Sequence, residues 1–225
     1  MRILLLVLAS IFFSSCMEKE MKSYSPAISS DSSRYLALGD SYTIGQSVAS
    51  NLNFPHQLQS KLLASGKGNW EVDIIAQTGW TTSNLKSAIE QQNPDSSYDL
   101  VSLLIGVNNF YQQMDSQVYI REFRELLEDA IAFGKGDYKR VMVLSIPDYG
   151  YSPFGQQRDP AKISEQTDQY NRIALGICKE KGVQFIDITG ISRSSDKSMF
   201  ASDGLHPSAL QYGMWVDEIV KQRPF

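Results

Sequence analysis

From residue 34 onward, short apolar, β-branched runs alternate with longer stretches whose apolar positions recur every three or four residues. The short runs predict strands over Tyr35–Leu38, Val72–Ala76, Leu100–Ile105, Val141–Ser145 and Gln184–Ile188. The longer stretches predict helices. Pro55 suits the first turn of one running through Leu63, where an N–H has no intrahelical partner to lose. Thr82 or Ser83 is placed to cap another, through Gln91. Phe123, Leu126, Leu127, Ala130 and Ile131 share one helical face, with Arg121–Glu125 and Arg124–Glu128 expected as ion pairs on the wet face. Ile163, Thr167, Tyr170, Ala174 and Ile177 form a further stripe, stopped at Lys181-Gly182. Pro207 is expected to open a last helix through Val220.

Crossovers of this length between strands require parallel pairing, with helices covering both faces of the sheet. The expected fold is therefore α/β, a three-layer α/β/α domain on an open, five-stranded parallel sheet of flavodoxin-like type. The domain is expected to occupy residues 34–225, a comfortable size for a single core, with its packed part from about Arg34 to Val220. Pro147–Pro160 is the longest stretch without a clear period and contains Tyr149, Tyr151 and Phe154. A loop of that length in a compact domain is usually functional or mobile.

The beginning of the chain reads differently. Met1-Arg2 gives a short positive start, and Ile3 to Phe13 is an apolar run of secretory length, too short to span a membrane as a helix. Ser14-Ser15-Cys16 follows and resembles the lipobox of bacterial lipoproteins, although Phe13 stands where Leu is usual. Residues 1–15 are thus expected to be a lipoprotein signal peptide, with Cys16 as the lipidated new N-terminus. Met17-Glu18-Lys19-Glu20 resembles signals that send some lipoproteins to the cell surface, and residues 16–33, rich in Ser, read as a flexible tether. The expected location is outside the cytoplasm, lipid-anchored to the bacterial cell envelope at the outer membrane or cell surface.

Charge excludes one class of partner. The formal net charge is −4, and no basic stripe interleaved with aromatic residues is present, so there is no electrostatic footprint for nucleic acid. With Cys16 lipidated, Cys178 stands alone in a helical pattern and reads as a small core residue, with no disulfide expected. Two histidines and no cysteine cluster leave no metal site, and nothing calls for a cofactor.

In an open parallel sheet, ligands bind beyond the carboxyl ends of the strands. Gly39-Asp40-Ser41 follows the first strand, Gln77-Thr78-Gly79-Trp80 the second, Gly106-Val107-Asn108-Asn109 the third, and Asp203-Gly204-Leu205-His206 comes after the fifth. One edge therefore collects a serine, a glycine turn, a carboxamide and an acid–base pair. Ser41 needs a base to attack a carbonyl, and His206 supplies one. Asp203, three residues earlier, can hold the imidazole tautomer and stabilise the imidazolium. The tetrahedral intermediate needs donors at its oxyanion, and the Ser41 and Gly79 backbone N–H groups and the Asn108 carboxamide offer them. The other histidine, His56, reads as an exposed first-turn residue, and Asp40 and Asp148 as turn or cap residues.

These blocks together resemble the SGNH/GDSL hydrolases, over the whole globular part. On that pattern Ser41 sits in the nucleophile block, Gly79 in the glycine block, Asn108 in the Gly-x-Asn block, and Asp203 and His206 in the Asp-x-x-His block. The resemblance implies the SGNH hydrolase fold and a cofactor-free esterase, lipase, lysophospholipase, thioesterase or carbohydrate esterase. One departure stands out: the third block usually reads Gly-x-Asn-Asp, and Asn109 replaces the last acid, which is read as a brace for the loop.

The expected activity is hydrolysis of carboxylic esters through an acyl-Ser41 intermediate, with a small-molecule, lipid or glycan ester as partner. No long amphipathic lid pattern is present, which favours short acyl groups such as acetyl on a sugar. Tyr42, Trp80, Phe110, Tyr149 and Leu205 are the candidates for the substrate pocket, with Tyr111, Tyr151 and Phe154 on the same loops. Two other readings stand beside this one: an envelope acyltransferase acting on glycans, and a non-catalytic binding lipoprotein that keeps the fold.

Overall fold

A computed structural model of the chain describes residues 32–225. The expected signal peptide (1–15), Cys16 and nearly all of the tether lie outside the described residues.

Five parallel strands form one sheet: β1 (Ser33–Gly39), β2 (Trp70–Ala76), β3 (Leu100–Leu104), β4 (Val141–Leu144) and β5 (Gln184–Ile186). Their order across the sheet is β2-β1-β3-β4-β5, the doubly wound flavodoxin-like order. Among the described residues eight α-helices flank or follow them: α1 (Ser41–Ile44), α2 (Phe54–Ala64), α3 (Thr82–Gln92), α4 (Val107–Tyr111), α5 (Ser116–Phe133), α6 (Pro160–Lys181), α7 (Thr189–Ser192) and α8 (Ala209–Gln222). Helices α2 and α8 pack together, and α3, α5 and α6 form a second row with α5 between the other two.

The apolar pattern tracks each strand's position. Interior strands β3 and β4 are buried along their whole length, as strands covered on both faces must be. Edge strand β2 keeps Glu71 and Asp73 exposed. The polar residue inside β3, Ser102, is satisfied by the Tyr35 hydroxyl at 2.8 Å. Cys178 lies in the core, where burial pushes its thiol up to about 12.

Several local expectations are corrected. Helix α3 is capped by Thr81, in a capping box with Asn84, and neither Thr82 nor Ser83 is the cap. Those two hydroxyls are instead committed to Glu122. The expected i,i+4 ion pairs on α5 do not form: Arg124 pairs with Glu180, Glu125 with Lys86 and Glu128 with Lys181, while Arg121 lies 3.8 Å from Glu122. The face read as wet lies between α3 and α6, and their charges intercept it. Pro207 does not open the last helix. It pairs with Phe200 in an isolated antiparallel bridge, and Ser208 caps α8. His56 is half-buried rather than exposed, because the side chain of the α2 cap, Asn53, takes both its backbone N–H and its ring Nδ1.

Candidate active site

Ser41 begins α1 at the carboxyl end of β1 and is 5% exposed. The residue at position 39 has to be Gly, because a Cβ there would strike the Leu104 carbonyl and the Thr43 side chain. Asp40 caps α1, its Oδ1 accepting from the Tyr42 backbone N–H at 3.0 Å. Its Oδ2 has no partner among the described residues. Burial pushes the Asp40 carboxyl up to about 7 against the pull of the Tyr42 bond.

The acid–base turn is built in the opposite way. Asp203 Oδ1 accepts the backbone N–H groups of Leu205 and His206 at 2.9 and 3.0 Å. Its Oδ2 lies 2.7 Å from His206 Nδ1 and accepts the Ser47 hydroxyl at 2.6 Å. Burial works to raise the Asp203 carboxyl, but the bonds from Ser47, His206 and the two backbone groups outweigh it. They hold it well below the usual carboxylate range. An ionised Asp203 fixes the proton on Nδ1 and leaves Nε2 as the acceptor. The Tyr42 ring meets the imidazole edge-on at 5.8 Å and in turn contacts buried Trp215 at 6.5 Å, so the core packs against His206.

The other two blocks are tied to each other. Gly106, the residue before α4, has φ +129°, and a Cβ there would meet Tyr119 Cε2 at 2.6 Å. The chain then turns into α4, whose Asn108 Nδ2 donates to the Trp80 carbonyl at 3.0 Å. Gln112 Nε2 donates to the Gly79 carbonyl, also at 3.0 Å. Gly79 adopts φ +83°, and its backbone N–H, like that of Ser41, has no partner among the described residues.

Ser41, Asn108 and His206 line one small pocket of about 60 Å³, together with Tyr42, Val107, Tyr111, Tyr149, Phe154 and Leu205. Of the pocket residues expected from sequence, Tyr42, Tyr149 and Leu205 are in this lining. Phe110 is not: it stacks behind Tyr149 at 6.1 Å and lines the neighbouring cavity. Trp80 is also outside the lining; its carbonyl, not its ring, makes the link to Asn108. Gly79 is outside it too. A larger hollow of about 700 Å³ lies between α2 and α8, lined by none of these residues. Among the described residues no three His, Cys, Asp or Glu side chains gather as a metal site.

A family model described as the GDSL-like Lipase/Acylhydrolase family matches residues 37–214. The chain belongs to that family. The family is described as one of lipases and acylhydrolases. The chain is 26% identical over 144 residues to an acetylxylan esterase of Geobacillus stearothermophilus; the match covers 58% of this chain and 62% of that protein, about three fifths of its length. Among solved structures it is similar to a lipase/acylhydrolase from Enterococcus faecalis, with a TM-score of 0.63 and 20% identity over 84% of this chain and 94% of that one. It is also similar to the acetylxylan esterase Axe2 of Geobacillus stearothermophilus, with a TM-score of 0.62 and 21% identity over 86% and 94%.

Within this GDSL-like chain the departure at Asn109 has a structural account. Asn109 is fully buried; its Oδ1 accepts the Thr82 backbone N–H at 3.1 Å and its Nδ2 donates to Thr82 Oγ1 at 2.7 Å. Thr82 Oγ1 donates its own hydrogen bond to Glu122 Oε2 at 2.5 Å. An amide is the side chain that completes this run, because it supplies both an acceptor and a donor. The reading of this position as a loop brace matches its placement.

Two features of the GDSL-like site were not singled out by sequence. Val107, the variable position of Gly-x-Asn, contributes to the pocket because α4 starts there. Ser47 reaches Asp203 from 156 residues away. The polar Gly45-Gln46-Ser47 turn directly after α1 was the one local signal for it.

Proposed function

We propose that the chain is a serine ester hydrolase of short acyl groups, working through an acyl intermediate on Ser41. The carrying observation is that Ser41, Asn108 and His206 line one pocket while Asp203 hydrogen-bonds the far nitrogen of the same imidazole. His206 Nε2 takes the Ser41 proton as Oγ attacks the ester carbonyl, then returns it to the departing alcohol. Asp203 stabilises the imidazolium in between. The oxyanion is met by the Ser41 and Gly79 backbone N–H groups and by the Asn108 hydrogen not used by Trp80; one such donor is worth about 2.7–4 kcal/mol of barrier. Water activated by His206 then releases the acid. Among the described residues Ser41 makes no side-chain hydrogen bond, and contacts of this kind commonly tighten only with substrate in place.

The walls support a small acyl group. At about 60 Å³ the pocket is far smaller than the roughly 300–1,000 Å³ of ordinary ligand clefts, which suits acetyl better than a long chain. Tyr111 and Tyr149 also border a second cavity of about 390 Å³ that includes Gln113, Arg158, Lys162 and Gln166. An aromatic wall with amide and charged side chains suits a polyhydroxylated alcohol. The acetylxylan esterase likeness favours the same assignment, acetyl on a sugar. The apolar start and Cys16 in the sequence support export and a lipid anchor at the cell envelope.

Ser41→Ala is expected to lower kcat/KM on p-nitrophenyl acetate by at least about a thousandfold with an unchanged thermal melt. A serine-directed fluorophosphonate is expected to label Ser41 alone. Full activity in that variant would refute the proposal. A series of acyl lengths is expected to peak at two or three carbons.

A further inference from the structure

Ser47 has a backbone φ of +67°, in the left-handed region where a side chain carries a steric penalty that glycine escapes. Such conformations persist where the surrounding structure over-determines them, and they cluster at working sites. Ser47 has two ties to the site. Its own hydroxyl donates to Asp203 Oδ2 at 2.6 Å, the same oxygen that lies 2.7 Å from His206 Nδ1. Its neighbour Gln46 accepts the Thr78 hydroxyl at 2.5 Å, one residue before Gly79. The turn after the nucleophile helix thus touches both the acid–base turn and the glycine turn.

We infer that Ser47 is a positioning residue: its hydroxyl holds Asp203 Oδ2 so that this oxygen orients the His206 imidazole, extending the set Ser41, His206 and Asp203 by a fourth side chain. The inference rests on the hydrolase reading above. With Oδ1 held by two backbone N–H groups and Oδ2 by Ser47, the carboxylate plane has no freedom to rotate away from the ring. The hydroxyl also draws electron density from Oδ2, which limits how strongly the carboxylate stabilises a protonated imidazole. His206 can then release its proton to the leaving alcohol. The other charged or titratable groups around the pair are Asp40 and Tyr42 of the nucleophile turn, Tyr212 of α8, and Asp148 and Tyr149 after β4. They stay in place when Ser47 is changed, so a shift on changing it reports the hydroxyl.

The decisive variant is Ser47→Gly, which removes the hydroxyl and relieves the backbone, with Ser47→Ala beside it. In both, kcat/KM on p-nitrophenyl acetate is expected to fall about tenfold, chiefly in kcat, as loss of a bond to a charged group predicts. The acid limb of the pH profile is expected to move upward by about half a pH unit. Ser47→Gly is expected to melt no lower than the wild type. A wild-type rate and pH limb in Ser47→Gly would overturn the inference, whatever Ser47→Ala does, because the turn alone would then be what matters. A lowered rate with an unmoved limb would also overturn it, as that is the mark of a purely structural role. Failure of the hydrolase reading looks different: the wild type itself would turn over no ester and take up no fluorophosphonate.

Discussion

The turns carrying Ser41 and His206 each contain an aspartate, and the two acids have opposite surroundings. Asp40 is fully buried, with one backbone donor and an oxygen that has no partner among the described residues. Asp203 keeps 31% of its side chain exposed and collects bonds from Ser47, His206 and two backbone groups. Burial pushes the first up to about 7, while the donors hold the second far down. The residue type is the same; full burial of the one and the donors around the other set their opposite shifts. A fold can therefore keep two carboxyl groups near one serine in opposite states of charge.

The largest expected effect tests the Asp203 side of this contrast. Asp203→Asn keeps an acceptor for the backbone groups but removes the charge that sets the imidazole tautomer. Ester hydrolysis is expected to drop by roughly 10³–10⁴ in kcat. A loss below about tenfold would mean that another acid, Asp40 or Asp148, supplies the anion.

The next tests the Asp40 side through stability. Folded Asp40 holds its proton to about pH 7, whereas the unfolded chain releases it near the ordinary carboxylate value. The folded state therefore binds more protons across that window. Stability present in acid is lost as pH rises from about 4 to about 7, at up to roughly 1.4 kcal/mol per unit. Urea unfolding at several pH values is expected to show this slope in the wild type and a much flatter one in Asp40→Asn. Equal slopes in the two chains would show that Asp40 ionises without penalty.

The smallest effect makes a third acid. Asn109→Asp restores the usual family residue but leaves Thr82 Oγ1 facing two acceptors with one proton to give. A loss of about 1–3 kcal/mol is expected at neutral pH, partly recovered in acid as the new carboxyl takes up a proton. An unchanged melting temperature at both pH values would show that the loop relaxes around the substitution.

These contrasts also mark where sequence reading stopped. Strand order and the collection of Ser41, Asn108 and His206 at one edge were legible, because parallel pairing and apolar periodicity are properties of whole segments. Partners contributed by other segments were not. Arg124, Glu125 and Glu128 looked like a self-paired helix face, yet each finds its partner on α3 or α6. Thr82 looked like a cap, but Asn109 and Glu122 claim its hydroxyl and the cap moves to Thr81. Trp80 and Phe110 were grouped with the pocket by loop position, which says nothing of where a ring points. Ser47 gave only a short polar turn to read; its value lies in one torsion angle and one distant carboxylate.

The direction of β1 has a practical consequence. It enters the sheet at Ser33 and delivers Ser41 only after crossing it, a run of roughly 23 Å for seven residues at about 3.3 Å each. Phe225 closes the chain at that same entry side, its ring against Trp70 at the start of β2. Both ends of the domain thus leave from the side opposite the reacting serine. Attaching the described domain beside Ser33 or Phe225 leaves Ser41 on the side away from the attachment, open to polymers too large to turn around it.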